Sequence, residues 1–127
     1  MESLVYVDRS RIEPDRADEL ETAVRGLVAH VATGNSRVLS YAIYFSTDRT
    51  VMTVVHVHRD SASLEQLLAL IAPVLAPFGS LLQLESIDVY GSPSEAVLAR
   101  LRSKTELLGG TIAVHTRIAG VEAAALG

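Results

Sequence analysis

Two histidines, His56 and His58, stand two residues apart in the run Thr50 to His58, TVMTVVHVH, and are the residues of this chain best suited to chemistry. Alternate side chains of an extended strand share a face, so the two imidazoles project together with Cβ atoms roughly 6.5–7 Å apart. Such a pair fits three roles. It can supply two ligands to a metal ion, which needs a third from a histidine or an acid; Glu85, Asp88 and His115 are candidates on other strands, and spacing singles out none of them. It can move a proton or contact a polar substrate, because imidazole titrates near neutrality. It can also be a pair of satisfied structural groups at a surface or interface. All three stay open on the residues alone; His56 and His58 are taken as the catalytic candidates, with neither a metal nor another cofactor expected.

Other side chains extend this picture. Tyr6, Tyr41, Tyr44 and Tyr90 lie in β-type runs and can line a pocket for a flat ligand, offering phenolic hydrogen bonds, or can be ordinary packing residues with a wet hydroxyl. Arg49 and Arg59 flank the His-x-His strand and can pair with a carboxylate or enolate, or be solvated turn residues. Tyr6, Tyr41, Tyr44 and Arg59 are therefore the ligand-binding candidates. His30 and His115 read as structural, and Asp15, Asp18, Glu19 and Glu21 as the solvated start of a helix. Gly109-Gly110 lacks the surroundings of a phosphate-binding loop, and no G-x-S-x-G elbow is present.

The elements that must position these residues follow from periodicity. Leu4–Val7 reads as a strand that stops where Asp8-Arg9-Ser10-Arg11 turns polar. Pro14 and Asp15 suit the first turn of a helix carrying Leu20, Val24, Leu27, Val28 and Val31 at helical spacing, closed by Gly34-Asn35. Val38–Phe45 and Thr50–His58 read as a hairpin, with Met52, Val54, His56 and His58 on one face of its second arm. Asp60 or Ser61 caps a second helix with the stripe Leu64, Leu67, Leu68 and Ile71, ended by Pro73. Leu81–Tyr90 is a fourth strand. Ser92-Pro93-Ser94-Glu95 reads as a capping box with Ser92 at the cap, opening a helix with Val97, Leu98, Leu101 and Leu108. Gly109-Gly110 breaks that helix before a last strand, Thr111–Ile118, and a small-residue tail, Glu122–Gly127.

This order, β-α-β-β-α-β with an added helix and strand, is the α+β, ferredoxin-like plan: an antiparallel sheet with helices on one face. Its 127 residues fit a single domain, with a core over residues 3–100 and a C-terminal extension over 101–127. Hydrophobic residues make up 49% and charged residues 20%, more apolar surface than one small globule buries, so the open sheet face is expected to pack against a second copy as a homodimer. A net charge of −4 with no basic cluster argues against nucleic acid, and no stretch reaches the ~20 apolar residues of a membrane span. The absence of cysteine rules out thiolate chemistry and disulfides. With Met1-Glu2-Ser3 lacking the basic region of a signal peptide, cytoplasm is the expected compartment.

Over residues 3 to about 100 the chain resembles the dimeric α+β barrel superfamily, and within it the antibiotic-biosynthesis-monooxygenase-like domains. The resemblance rests on LVYVDRSRIEPDRADELETAV, on VMTVVHVHRDSASLEQLL and on LESIDVYGSPSEAV. It implies a homodimer with a ligand cavity in each subunit between sheet and helices. It also implies a small apolar or aromatic substrate: some members oxygenate anthrone-like polyketides without flavin or metal, others degrade haem or isomerise lactones, and the same fold also serves as a non-catalytic binding or sensory module. Many relatives carry an acid and then an aromatic where this chain has His56 and His58.

Overall fold

The computed structural model describes residues 3–122. Along the chain run β1 (Leu4–Ile12), α1 (Ala17–Thr33), β2 (Ser40–Phe45), β3 (Val51–His58), α2 (Ser61–Ile71), β4 (Leu82–Tyr90), α3 (Glu95–Leu108) and β5 (Thr111–His115), with two 3-10 turns, Ala72–Val74 and Ala76–Ser80, joining α2 to β4. They form one sheet in the order β2-β3-β1-β4-β5. Every pairing is antiparallel except β4 with β5, which is parallel. The ferredoxin-like α+β plan is therefore present, extended by a parallel edge strand that α3 delivers.

Several boundaries differ from the sequence expectation, and the first matters most. β1 does not stop at Val7 but runs to Ile12, because it is the central strand and finds backbone partners on both sides through Arg11. Its buried parity is Leu4, Tyr6, Asp8, Ser10, Ile12, so two polar side chains lie inside, at 2% and 1% exposure. α1 starts at Ala17 and not at Pro14, since Asp15 sits in the left-handed region at φ 64° and holds the chain in a turn. Its far end uses Asn35, at φ 62°, as the left-handed residue.

α3 is capped by Ser94 and not Ser92. The Val97 amide donates to Ser94 Oγ at 3.2 Å, while the Ser94 amide donates to Ser61 Oγ at 2.8 Å and ties the cap to the start of α2. β2 begins at Ser40. β5 ends at His115 and not Ile118, because β4 ends at Tyr90 and the Gly91 amide closes the ladder on the His115 carbonyl at 2.9 Å. Residues 123–127 of the expected tail lie outside the described residues.

The helices cover one face of the sheet. From β3 that face receives Met52, Val54, His56 and His58, all buried, and from β4 Leu82 and Leu84, then Ile87 and Val89. The change of parity in β4 is a bulge, where the register with β1 slips between Arg9 and Ser10. Gly110 passes so close to it that a Cβ would lie 3.0–3.1 Å from the backbone of Leu84 and Glu85, and its φ of 89° favours glycine as well. Leu20, Leu27 and Val31 of α1, Leu64, Leu67, Leu68 and Ile71 of α2, and Val97, Leu101 and Leu108 of α3 complete the core. At roughly 1.5–3 kcal/mol per buried aliphatic side chain, this layer is the principal source of stability. The opposite sheet face carries a band of valines, Val5, Val7, Val51, Val55 and Val57, only half-buried. Among the described residues no helix is long and apolar enough to cross a membrane.

Candidate active site

Beneath the helices, three aromatic rings line up across three strands. His56 on β3 is the direct neighbour of Tyr6 on β1 and of Tyr41 on β2. The Tyr6 and His56 rings stack at 4.0 Å between centroids, and Tyr41 and His56 at 5.2 Å. Direct cross-strand pairing on one face brings such rings together without further help.

On one side of this ladder lies a neutral chain of hydrogen bonds. His56 Nδ1 and His58 Nε2 are 2.7 Å apart, and His58 Nδ1 lies 2.7 Å from Ser63 Oγ in the first turn of α2. All three residues are buried. Burial lowers the His58 pKa to about 4, against an opposing pull from Asp60, and holds His56 well below its ordinary value, helped by His58 and Lys104. Both rings are therefore neutral near pH 7, and each has one N–H and one bare nitrogen. Two proton arrangements satisfy the chain. In one, Ser63 donates to His58 and His58 to His56; in the other, His56 donates to His58 and His58 to Ser63. The group can exchange one tautomeric arrangement for the other and disfavours holding an extra proton.

On the other side lies a charged triad that the sequence reading did not assemble. Tyr6 donates its hydroxyl proton to Asp8 Oδ2 at 2.5 Å, and Lys104 Nζ of α3 donates to Tyr6 Oη at 2.8 Å and to Asp8 Oδ2 at 3.1 Å. The Asp8 and Lys104 side chains are 3% and 10% exposed, so this is a buried ion pair. Burial first, then the Asp8 charge and hydrogen bond, raise the Tyr6 pKa well above its usual value, keeping the phenol protonated as a donor.

The remaining carboxylate oxygen, Asp8 Oδ1, is buried and has no hydrogen-bond partner among the described residues. Leaving such an atom unpaired costs about 1–3 kcal/mol or more, which marks the position as one where a ligand or water belongs. Asp8 also lines a void of about 30 Å³, together with Ser10, Tyr41 and Lys104 among apolar neighbours. That space suits a water or a single functional group. Leu27, Ile71, Phe78 and Leu84 are among the apolar side chains that bound this small space.

Of the candidate residues, the fold gathers His56, His58, Tyr6 and Tyr41. Tyr44 falls on the opposite parity of β2 and is 58% exposed, away from the cluster. Arg59 is exposed in the bend after β3. Arg49 is engaged at the hairpin, donating to Asp18 at 2.8 Å and Glu21 at 3.1 Å, along one end of an open groove of about 600 Å³ between α1 and β2. That groove is larger than the void but its charged groups pair with each other, so the unspent chemistry lies elsewhere. His115 pairs with Asp88 at 2.8 Å and stacks on Tyr90, and His30 bonds the Leu70 carbonyl at 2.9 Å. Among the described residues no three His, Cys, Asp or Glu side chains gather as a metal-ligand set.

Two signals for the missed residues were in the sequence. Ile12 keeps the alternation of Leu4 and Tyr6, which places Asp8 and Ser10 on the buried parity. Lys104 occupies a core position of α3, in the spacing Val97, Leu101, Lys104, Leu108.

The helix-covered sheet makes a small α+β domain of ferredoxin-like plan, and its fold is similar to those of several solved structures. MupZ from Pseudomonas fluorescens has this fold with a TM-score of 0.75 at 14% identity, the match covering 98% of each chain and so including α3 and β5. SnoaB, a cofactor-independent oxygenase from Streptomyces nogalater, superposes with a TM-score of 0.61 at 14% identity, over 74% of this chain and 96% of its own. An antibiotic biosynthesis monooxygenase superposes with a TM-score of 0.57 at 16% identity, over 68% of this chain and 92% of its own. No protein-family model and no curated protein sequence matches the chain.

Proposed function

We propose that this protein is an enzyme that removes a proton from carbon in a small, largely apolar metabolite, as the first step of cofactor-independent oxygenation or of isomerisation. The observation that carries the reading is Asp8, a buried carboxylate that lines a void, with one oxygen held by Tyr6 and Lys104 and the other without a partner among the described residues. A general base needs this arrangement: fixed orientation and a free lone pair facing the substrate. Lys104, whose ammonium has a third N–H beyond those given to Tyr6 and Asp8, is the donor for an oxygen on which negative charge develops, in surroundings where such a donor acts strongly. His56 and His58 keep their place at the site as a neutral relay that can carry the proton toward Ser63, and Tyr41 flanks the reacting group. Arg59 and Tyr44 are proposed as outer contacts for the ligand or a second subunit.

Oxygenation and isomerisation share the carbanion. In the first, its electrons go to dioxygen; in the second, the proton returns at another carbon. The SnoaB fold likeness favours keeping oxygenation in view. Incubation of the protein with simple apolar ketones in D2O, followed by proton NMR, tests the shared step: wild type should accelerate C–H to C–D exchange and Asp8→Asn should not. Exchange by Asp8→Asn at the wild-type rate overturns the reading.

We also propose that the valine band on the open sheet face packs against a second copy, giving a cytoplasmic homodimer with two such sites. Elution at a monomer's volume in gel filtration contradicts this.

A further inference from the structure

Lys104 lines two spaces at once. One is the void at Asp8; the other is a surface groove of about 260 Å³ between α2 and α3. Ile71 and Leu75 are also shared by the two linings, so the groove and the void border the same three side chains, Lys104 among them. The groove is the natural seat for whatever part of a substrate the 30 Å³ void cannot hold. Its walls are mainly apolar, with Leu68 and Ala72 from one helix end and Leu107 from α3 beside the polar Ser103, and its remaining charged group is Arg100.

Arg100 is four residues before Lys104 on the same helix, so both cations face one groove. Lys104 is neutralised by Asp8. Among the described residues Arg100 is not matched in this way: it reaches Glu65 at 3.9 Å, past hydrogen-bond distance, whereas Arg16, Arg25 and Arg49 each meet an acid at 2.8–3.1 Å. An apolar groove with an under-used guanidinium is complementary to a carboxylate on an apolar chain.

Resting on the proton-abstraction reading above, we propose that the substrate is an apolar keto acid, whose carboxylate is held by Arg100 in the α2–α3 groove and whose carbonyl passes Lys104 to the void. Four residues of α-helix rise ~6 Å, which sets the spacing of carbonyl and carboxylate at about three or four carbon–carbon bonds. Asp8 Oδ1 takes a proton from the carbon next to the carbonyl. The C–H electron pair becomes the new C–C double bond, and the carbonyl electrons move onto oxygen, where Lys104 donates to the enolate. Return of the proton to the other face or to a conjugated carbon completes an isomerisation with no co-reactant.

The test uses 5-oxohexanoate and its neutral amide as probes, with binding measured by calorimetry and exchange by NMR in D2O. Wild type should bind the acid more tightly than the amide, and Arg100→Gln, at an exposed position that folding tolerates, should weaken the acid about 10- to 100-fold while leaving the amide unchanged. Asp8→Asn should still bind the acid but lose exchange. Equal binding of acid and amide, or an unaltered affinity in Arg100→Gln, overturns the carboxylate subsite even if Asp8-dependent exchange of ketones persists. Selective binding of the acid through Arg100 with no exchange by any variant retains the subsite and removes the proton-abstraction reading instead.

Discussion

The two polar groups beneath the helices are neighbours on one sheet face, yet they solve the problem of burial in opposite ways. His56, His58 and Ser63 are neutral, and their hydrogen bonds run from one to the next. Asp8 and Lys104, bridged by the neutral Tyr6 phenol, keep full charges inside the protein and leave one carboxylate oxygen with no partner among the described residues. Neutral groups that satisfy each other are cheap to bury, whereas a charged pair must recover a large desolvation cost through excellent geometry. A fold maintained for stability alone gains little from the second arrangement. The contrast teaches that the reacting group is to be sought in the charged half, with the histidines supporting it, although the histidines are the more conspicuous in the sequence.

Breaking the charged half should produce the largest effect. Lys104→Met leaves the Asp8 carboxylate buried without its cation and should cost about 3–5 kcal/mol in urea unfolding, while the double variant Asp8→Asn/Lys104→Met recovers most of that loss. Equal stability of the single and double variants would dissolve the distinction between the halves.

The neutral half should show itself through pH. The folded pKa of His58 is lowered to about 4 from 6.5, and that of His56 is lowered as well, so between pH 6.5 and 4 the unfolded chain binds protons that the folded chain does not. Their contribution is complete above pH 6.5 and is lost as pH falls, on the order of 3 kcal/mol for His58 by pH 4. Unfolding midpoints taken from pH 7 to 4.5 should fall accordingly in wild type and fall less in His56→Phe/His58→Leu. A parallel fall in both proteins would show that the histidines do not titrate in this way.

Smaller effects separate the two faces of β2. Tyr41→Phe, beside the void, should change ketone exchange by up to about tenfold as the flank of the reacting group is altered. Tyr44→Ala, on the opposite parity, should leave exchange within about twofold, since surface changes away from the site are near neutral. The same rates for both variants would mean that the aromatic ladder does not bear on the chemistry.

The fold was legible from the sequence because its signals are local: the stripe Leu64, Leu67, Leu68, Ile71, the alternation of Met52, Val54, His56 and His58, and the strand and helix order. The pairing of the two histidines was legible too, since a two-residue spacing on one strand fixes His56 beside His58. The charged half was not. Asp8 lies in a run, Asp8-Arg9-Ser10-Arg11, whose composition reads as a turn, and only pairing with β3 and β4 on both flanks keeps it extended. Its union with Lys104 spans 96 positions in the chain, and local periodicity carries no information about contacts at that range. Cap choice failed for a related reason: Ser92 and Ser94 are equally good caps in isolation, and the contact of Ser94 with Ser61 decides between them.

The central claim is that Asp8 abstracts the proton and the histidines assist. Hydrogen–deuterium exchange at the carbon beside a ketone, measured by NMR for Asp8→Asn and His56→Phe side by side under conditions where both are folded, tests it most directly. The account predicts a loss of about 10²- to 10⁴-fold for Asp8→Asn and of less than about tenfold for His56→Phe. Retained exchange in Asp8→Asn together with its loss in His56→Phe would contradict the account and return the chemistry to the histidines.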